Sequence, residues 1–270
     1  MTTTMTTKTP SPRRQNAAAW PRRHVLWALP VATWAAAQDA FAFGQSAEVS
    51  AATVKHGAHA LHRPSALRRL MWDAKKRTAL QTSRESKELT FLDDDLFRHP
   101  LLVWTGQGKF KPLTDKERRR LARHLRYGGL LWIDAPTSQD PFAAQAMQEV
   151  EKALAEKFVP LKKEHVLFKS FFLLDKVYGR TLDHHGGGDT GVRAVTLSSR
   201  LAAILTTCDC LGAYERDAFG TWRFECHPDD RRQRERAFRF GVNVFMYATC
   251  LDYKADQVHI PFILKKRRRR

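Results

Sequence analysis

Hydrophobic and polar positions in the middle of the chain follow the pattern of a strand, a helix and a second strand. The apolar runs Leu101–Trp104 and Leu130–Ile133 are short and unbroken, which is typical of strands covered on both faces. Between them, Thr114 and Glu117 have the spacing of a capping box, and Gly128 can end the helix in a left-handed conformation. A unit of this kind predicts parallel strands joined by a helix.

The same patterns predict more elements on both sides of this unit. They are, in chain order, an amphipathic basic helix over residues 65–82, a helix over 141–157 that begins at Asp140-Pro141, extended segments over 192–197 and 201–206, and a helix from 228 to about 251. The acidic run Asp93–Asp95 is interpreted as a turn or helix cap. Alternation of strands and helices predicts an α/β fold, in which a three-layer open sheet is mainly parallel.

The N-terminal residues resemble a twin-arginine export signal. Arg22 and Arg23 precede an apolar run, and Ala40 and Ala42 form a small-residue cleavage pattern. The apolar run is shorter than the roughly 20 residues of a comfortable membrane span. We therefore expect an exported protein that is periplasmic, or membrane-associated through an uncleaved N-terminal segment.

Composition agrees with a globular domain that has charged ends. The chain has 270 residues, of which 43% are hydrophobic, and a formal net charge of +18, to which residues 265–270 contribute six positive charges. This basic tail is predicted to be solvated or to contact an anionic membrane surface, and export disfavours nucleic acid as a partner. The predicted division is a signal peptide over residues 1–42, a linker over 43–63, an α/β domain over 64–252 and a C-terminal extension over 253–270.

Candidate ligand-binding residues follow three of the predicted strands. Open α/β sheets bind ligands beyond the carboxyl ends of their strands, so the loops after Trp104, Ile133 and Thr206 are expected to share one edge. The candidates on these loops are Gly106, Gln107, Gly108, Asp134, Asp209 and Glu215. The Gly-Gln-Gly sequence lacks a complete phosphate-binding fingerprint, which favours a tight turn.

The three acids of this edge are also the candidate catalytic residues. Asp134 is interpreted either as a functional acid or as a turn or cap residue, and Glu215 either as a site acid or as the partner of Arg216 in a buried ion pair. His184 and His185 are weak metal candidates beside three glycines, where a surface loop is the alternative. No cofactor is predicted.

The cysteines do not have the spacing of zinc knuckles. They are Cys208, Cys210, Cys226 and Cys250. Two alternatives stay open: a disulfide from Cys208 or Cys210 to Cys226, which an oxidising compartment would allow, or buried free thiols. Cys208 acting as a nucleophile with a loop histidine is a further hypothesis.

Several segments together resemble a bacterial family of domains of unknown function, DUF4159. The resemblance covers about residues 64–252 and rests mainly on His99–Phe110, Tyr127–Asp134, Asp209–Glu215 and Gly241–Val244. It implies a fold similar to class I glutamine amidotransferases, with a flavodoxin-like sheet, in proteins that are often exported or membrane-attached. It implies no established activity.

Two departures from the family pattern weaken a catalytic interpretation. Members commonly carry His where this chain has Gln107, and a second acid where it has Ala135. An amidotransferase also needs a nucleophilic Cys on a sharp turn, whereas Gly106–Gly108 occupies that turn without one. The sequence thus favours a non-catalytic domain that binds a protein partner or small ligand, and the alternative is an envelope hydrolase or amidase using the edge acids, with or without a metal.

Overall fold

The computed structural model describes residues 48–56, 63–83, 85–182 and 189–249. The predicted export signal with Arg22, Arg23, Ala40 and Ala42 lies outside these residues, as do His184, His185, Cys250 and the basic tail over 265–270. Within the described ranges, no helix is both long and apolar enough to cross a membrane.

A seven-stranded, mainly parallel sheet forms the centre of the domain. Its strands are β1 Ala51–Val54, β2 Lys87–Leu89, β3 Leu101–Thr105, β4 Leu130–Asp134, β5 Val159–Pro160, β6 Val192–Leu197 and β7 Arg200–Thr206. Their spatial order is β2-β1-β3-β4-β7-β6-β5. The first five are parallel, and β6 and β5 add an antiparallel edge. Counted along the chain, the parallel strands have the order 2-1-3-4-5 of flavodoxin-like sheets, which confirms the predicted fold class.

Helices cover both faces of this sheet. They are α1 Ala66–Arg77, α2 Asp115–Arg126, α3 Pro141–Leu154, α4 Cys210–Tyr214 and α5 Asp230–Thr249, with 3-10 helices at Asp94–Arg98 and Val166–Lys169. Alternate residues of β3 belong to the two layers: Leu101 and Val103 pack with α1 and α5, whereas Leu102 and Trp104 pack with α2 and α3. Burial on both faces explains the unbroken apolar runs of the central strands.

The start of α2 has the predicted capping box. The backbone N–H of Glu117 donates to Oγ1 of Thr114 at 3.3 Å, and Oε2 of Glu117 accepts the backbone N–H of Thr114 at 2.7 Å. After the helix, Gly128 has a φ of 113°, a conformation that favours glycine. The position and orientation of α2 are therefore set by local sequence as well as by its apolar face.

Replacement of Thr114 by Ala is expected to lower the free energy of unfolding by about 1 kcal/mol, because the backbone N–H of Glu117 loses its acceptor and the Glu117 carboxylate loses the hydroxyl donor. Urea denaturation followed by circular dichroism measures this change. Thr114→Ser keeps the hydroxyl oxygen and is the matched control, expected to stay close to the wild type. Equal losses in the two variants would contradict a capping role for the Thr114 side chain.

The predicted linker over residues 43–63 is wrong at its centre, since Ala51–Val54 forms β1 between β2 and β3. Ala51 pairs with Leu101 on one side, and Ala52 pairs with Lys87 on the other. The segment is short and two of its four residues are alanines, which have low strand propensity. Its strand conformation comes from hydrogen bonding to two neighbours, and the domain accordingly starts before residue 64.

Two smaller segments can also be compared with their predicted structure. The predicted loop after Thr206, which carries Asp209 and Glu215, contains the short helix α4. The acidic run Asp93–Asp95 is a turn leading into a 3-10 helix, in which the Asp93 carboxylate accepts hydrogen bonds from the backbone and hydroxyl of Thr90. The interpretation of this run as a turn or cap is confirmed.

Candidate functional site

Three parallel strands end side by side at the carboxyl edge of the sheet. Thr105 of β3 pairs with Asp134 of β4, and Asp134 pairs with Thr206 of β7. The loops that follow these strands therefore leave from one edge, the edge expected from the sequence. The side chains on those loops decide whether this edge offers free functional groups.

Asp134 is buried and fully hydrogen-bonded at this edge. Its Oδ1 accepts the hydroxyl of Thr206 at 2.6 Å, and its Oδ2 accepts the backbone N–H of Leu211 at 2.8 Å. Removal from water, together with the nearby charge of Asp209, raises the pKa of the Asp134 carboxyl to about 7. The side chain joins β4, β7 and α4, and only 1% of the residue is exposed.

Asp209 lies at the centre of a buried ion-pair network. Its carboxylate accepts hydrogen bonds from the guanidinium groups of Arg63 at 3.2 Å and Arg180 at 2.5 Å. It also accepts the backbone N–H of Gly212 at 3.0 Å, which caps α4, while its own N–H donates to the carbonyl oxygen of Ala135 at 3.0 Å. Its φ of 51° is left-handed, a conformation that Asp tolerates better than most residues. These contacts fix the loop after β7.

Glu215 holds the start of α1 in place. Its carboxylate accepts the backbone N–H of Ser65 at 3.2 Å, and the hydroxyl oxygen of Ser65 accepts the backbone N–H of Arg216 at 2.8 Å. The alternative of an ion pair between Glu215 and Arg216 is not what the structure shows. The acid is buried and bonds to backbone instead, because the Arg216 guanidinium lies over the ring of Trp222.

The glycines after β3 form a tight turn. A Cβ atom at Gly106 would lie 2.5 Å from the ring of Phe142. Gly108 has a φ of 68°, and its N–H donates to Oδ1 of Asp140 at 2.7 Å. Gln107 is exposed. The turn is thus held by the first residues of α3, and among the described contacts none joins it to Asp209 or Glu215.

The described cysteines are buried thiols with no disulfide among them. They are Cys208, Cys210 and Cys226. The Sγ atoms of Cys208 and Cys210 lie 3.5 Å apart, and burial raises the pKa of the Cys210 thiol well above its usual range. A thiolate is the reactive form, so this environment disfavours Cys210 as a nucleophile. The hypothesis of Cys208 acting with a loop histidine stays a prediction, since His184 and His185 lie outside the described residues. Within the described part of the chain, no group of three or more His, Cys, Asp or Glu side chains is arranged to hold a metal ion.

Protein side chains occupy the described part of the topological switch point between β1 and β3, where sheets of this order usually bind their ligands. The ring of His56 lies there among the rings of Phe91, Trp104 and Phe110, at centroid distances of 5.6–6.2 Å. Its Nε2 is 2.7 Å from the carbonyl oxygen of Lys111. Among the described residues, the open cleft lies elsewhere.

A cleft of about 810 Å³ runs along the outer face of α1. Its lining residues are Ser65, Arg68, Arg69, Trp72, Lys75, Lys76, Thr82, Ser83, Arg216, Asp217, Ala218 and Gly220. The helical members recur every three or four positions, so they form one face of α1. The cleft starts at the carboxyl edge, where Ser65 bonds to Arg216, and follows α1 towards the opposite edge. We call it the α1 cleft.

The α1 cleft is strongly basic. Five of its residues are Arg or Lys and one is acidic. The acid, Asp217, is engaged within its own loop, where its carboxylate accepts the hydroxyl of Thr221 at 2.5 Å and the backbone N–H of Phe219 at 2.9 Å. The sequence pattern predicted the basic face of α1, but it gave no signal that the loop carrying Arg216 forms the other wall.

Comparison with known families agrees with the resemblance described above. The model of the domain of unknown function DUF4159 matches residues 50–249. Its first matched residue precedes β1, in agreement with the structural start of the sheet. No curated protein sequence matches the chain.

Proposed function

We propose, given that the chain belongs to the DUF4159 family, that it is an exported, envelope-associated protein that binds a ligand or partner without a catalytic step. The binding site in this proposal is the carboxyl edge of the sheet and the α1 cleft that opens from it. Export rests on the sequence of the N-terminal residues. The absence of a catalytic step rests on the state of the edge acids.

The observation that carries the proposal is the engagement of Asp134, Asp209 and Glu215 by groups of the protein itself. Each is buried to about 1% exposure, and each accepts hydrogen bonds from protein donors. A general acid or base has to come within hydrogen-bond reach of its substrate. Side chains shielded and saturated in this way stabilise the fold, and the binding surface consists of other residues.

The alternative, an envelope hydrolase or amidase that uses these acids with or without a metal, is favoured by one observation. The pKa of Asp134 is raised to about 7, and carboxyl groups with such values are frequent at active sites. Burial behind Thr206 and Leu211 accounts for the raised value without a catalytic role. An experiment in two parts tests the proposal. The first part determines where the protein is located, and the second uses isolated cell envelopes to distinguish binding from hydrolysis.

In its first part, the full chain is expressed in its host, and its location is compared with that of the Arg22→Lys/Arg23→Lys variant. We expect the wild type in the periplasmic or membrane fraction and the variant in the cytoplasm, because twin-arginine export depends on that pair. Mass spectrometry of the native N-terminus shows whether the signal is removed. A wild-type protein confined to the cytoplasm would refute the envelope role.

In its second part, purified wild-type protein and Asp134→Asn are incubated with the envelopes. We expect both proteins to sediment with the envelopes and neither to release amino groups or reducing ends above a heat-inactivated sample. Glu215→Gln is the second variant, with folding checked by circular dichroism. Release by the wild type that a folded Asp134→Asn protein has lost would establish the hydrolase instead.

A further inference from the structure

We propose that the α1 cleft binds an acidic glycan through its carboxylate or phosphate groups. In this assignment, Arg69 and Arg216 hold one such group, and the basic residues farther along α1 hold the next. The choice of a glycan rests on the proposed envelope function. The requirement that the ligand be anionic rests on the basic residues of the cleft.

Aromatic rings, and not acids, hold the two arginines in place. The guanidinium carbon of Arg69 lies 4.0 Å from the ring centroid of Trp72, and that of Arg216 lies 4.1 Å from the ring of Trp222. A π face orients a guanidinium group but leaves its positive charge uncancelled. Both cations are therefore preorganised, which reduces the entropy lost on binding.

Both arginines also have unused donors. Nη1 of Arg216 donates to the carbonyl oxygen of Gly220 at 2.7 Å, whereas Nη2 of Arg216 and both Nη atoms of Arg69 have no acceptor among the described residues. The Nε atoms are buried without a partner, so the Nη atoms are the donors that a ligand can reach. Burial and the nearby charge of Arg216 lower the pKa of Arg69, so the two cations lie close enough to repel each other. A phosphate or carboxylate between them would remove the repulsion and accept N–H groups from the Nη atoms, a charge-assisted contact that arginine favours.

A neighbouring cleft provides an internal comparison. It has a volume of about 670 Å³ and shares Arg69. Three of its four other arginines have acidic partners: Arg77 donates to Glu235 at 2.7 Å, Arg234 donates to Asp230 at 2.6 Å, and Arg239 donates to Glu235 at 2.9 Å. Abundant arginine alone thus does not distinguish the α1 cleft. Its distinguishing feature is the lack of carboxylate partners for Arg69 and Arg216.

The length of the basic face indicates a ligand with several charged groups. Arg68 and Lys76 are eight positions apart, which corresponds to about 12 Å along an α-helix. A single phosphate or carboxylate cannot contact both ends. The concave shape of the α1 cleft suits a chain that lies along α1, whereas a membrane presents a surface that cannot enter a cleft. A linear polymer with recurring acidic groups meets these conditions.

The test measures the dissociation constants of the full chain for polygalacturonate, a carboxylate glycan, and for a phosphorylated mannan, with unphosphorylated mannan as the neutral probe. We expect binding to at least one acidic glycan and none to the neutral one. Arg69→Gln/Arg216→Gln should raise the dissociation constant at least about tenfold, because two charge-assisted contacts are lost.

A matched variant controls for net charge. Lys116→Gln/Arg119→Gln also removes two positive charges, from exposed positions of α2 on the other face of the sheet, and should change the dissociation constant less than about threefold, which is below 1 kcal/mol. Arg69→Lys/Arg216→Lys keeps the charge but loses paired donation, and an intermediate weakening is expected. This variant decides the outcome if the glutamine variant does not fold.

Three results would overturn the assignment. They are equal weakening by the cleft and control variants, no binding to either acidic glycan, and tighter binding to a single-stranded DNA oligonucleotide or to anionic lipid vesicles than to both glycans. The assay uses purified protein, so its outcome is independent of cellular location. A cytoplasmic protein that binds the glycans in this assay would contradict the proposed function while the anion site remains.

Discussion

Asp134→Asn is expected to make the protein more stable at pH 8 and to have much less effect at pH 5. The carboxyl group has a pKa of about 7 in the folded protein against a usual value of 3.8, so the folded state binds its proton more tightly. The resulting stability is present at low pH and is lost as the pH rises through 7. Between pH 5 and pH 8 this loss amounts to roughly 2–3 kcal/mol of unfolding free energy.

Asparagine suits the position because its side chain offers an acceptor oxygen beside an amide NH2 donor group. Its carbonyl oxygen can accept the N–H of Leu211, and its amide can donate to the Thr206 hydroxyl oxygen, which also accepts Nε1 of Trp132 at 2.9 Å. The Thr206 hydroxyl can then donate to the carbonyl oxygen of Ile133, which is 3.4 Å away in the wild-type protein. The substitution removes the buried charge while the contacts to Thr206 and Leu211 are kept.

Urea denaturation of both proteins at pH 5, 6, 7 and 8 measures the effect as a difference. That difference isolates Asp134, since burial lowers the pKa of His99 and lowers that of His165 to about 4 in both proteins. The histidines oppose Asp134 because they reduce stability as the pH falls below their unfolded values. A difference that does not change with pH would show that the Asp134 carboxyl titrates normally.

Asp209→Ala is expected to cost roughly 3 kcal/mol or more of unfolding free energy, since removal of one partner from a buried ion pair leaves an uncompensated charge. Here two guanidinium groups, those of Arg63 and Arg180, lose their carboxylate. The capping acceptor of α4 is lost as well, and alanine tolerates the left-handed φ of 51° poorly. Chemical denaturation with circular dichroism detection measures the loss.

Asp209→Asn separates these contributions. Asparagine accepts the left-handed conformation and keeps one capping oxygen, so its loss should be smaller than that of alanine and should mainly report the missing charge. Asp94→Ala is the comparison at the surface, where the exposed pair with Arg120 should contribute little. Equal costs for Asp209→Ala and Asp94→Ala would mean that the buried network does not stabilise the domain.

The predictable parts of the fold are those whose signals are local. The runs Leu101–Trp104 and Leu130–Ile133 are apolar at every position, and the cap of α2 lies within four residues. Ala51–Val54 has no comparable signal, because its strand conformation depends on pairing with residues 87–89 and 101–104. Sequence distance between partners therefore separates these predicted elements from the strand β1, which was missed.

The same reasoning applies to the site. Strand ends located Asp134 and Asp209 at the carboxyl edge, but the burial of Asp209 depends on Arg63, which is 146 positions away. The basic face of α1 was visible as a periodic pattern. The opposite wall of the α1 cleft, at Arg216, could not be predicted in this way, because the bond between Ser65 and Arg216 joins residues that are 151 positions apart.

That bond also gives the α1 cleft a thermodynamic property. The two walls of the α1 cleft come from distant parts of the chain and are joined through Ser65. The cleft therefore exists only while the domain is folded. Any molecule that binds between them must shift the unfolding equilibrium towards the folded state, by an amount that grows with ligand concentration relative to the dissociation constant. The melting temperature of the domain thus reports occupancy of the cleft, and fractions of envelope polymer can be compared by that shift without labelling either component.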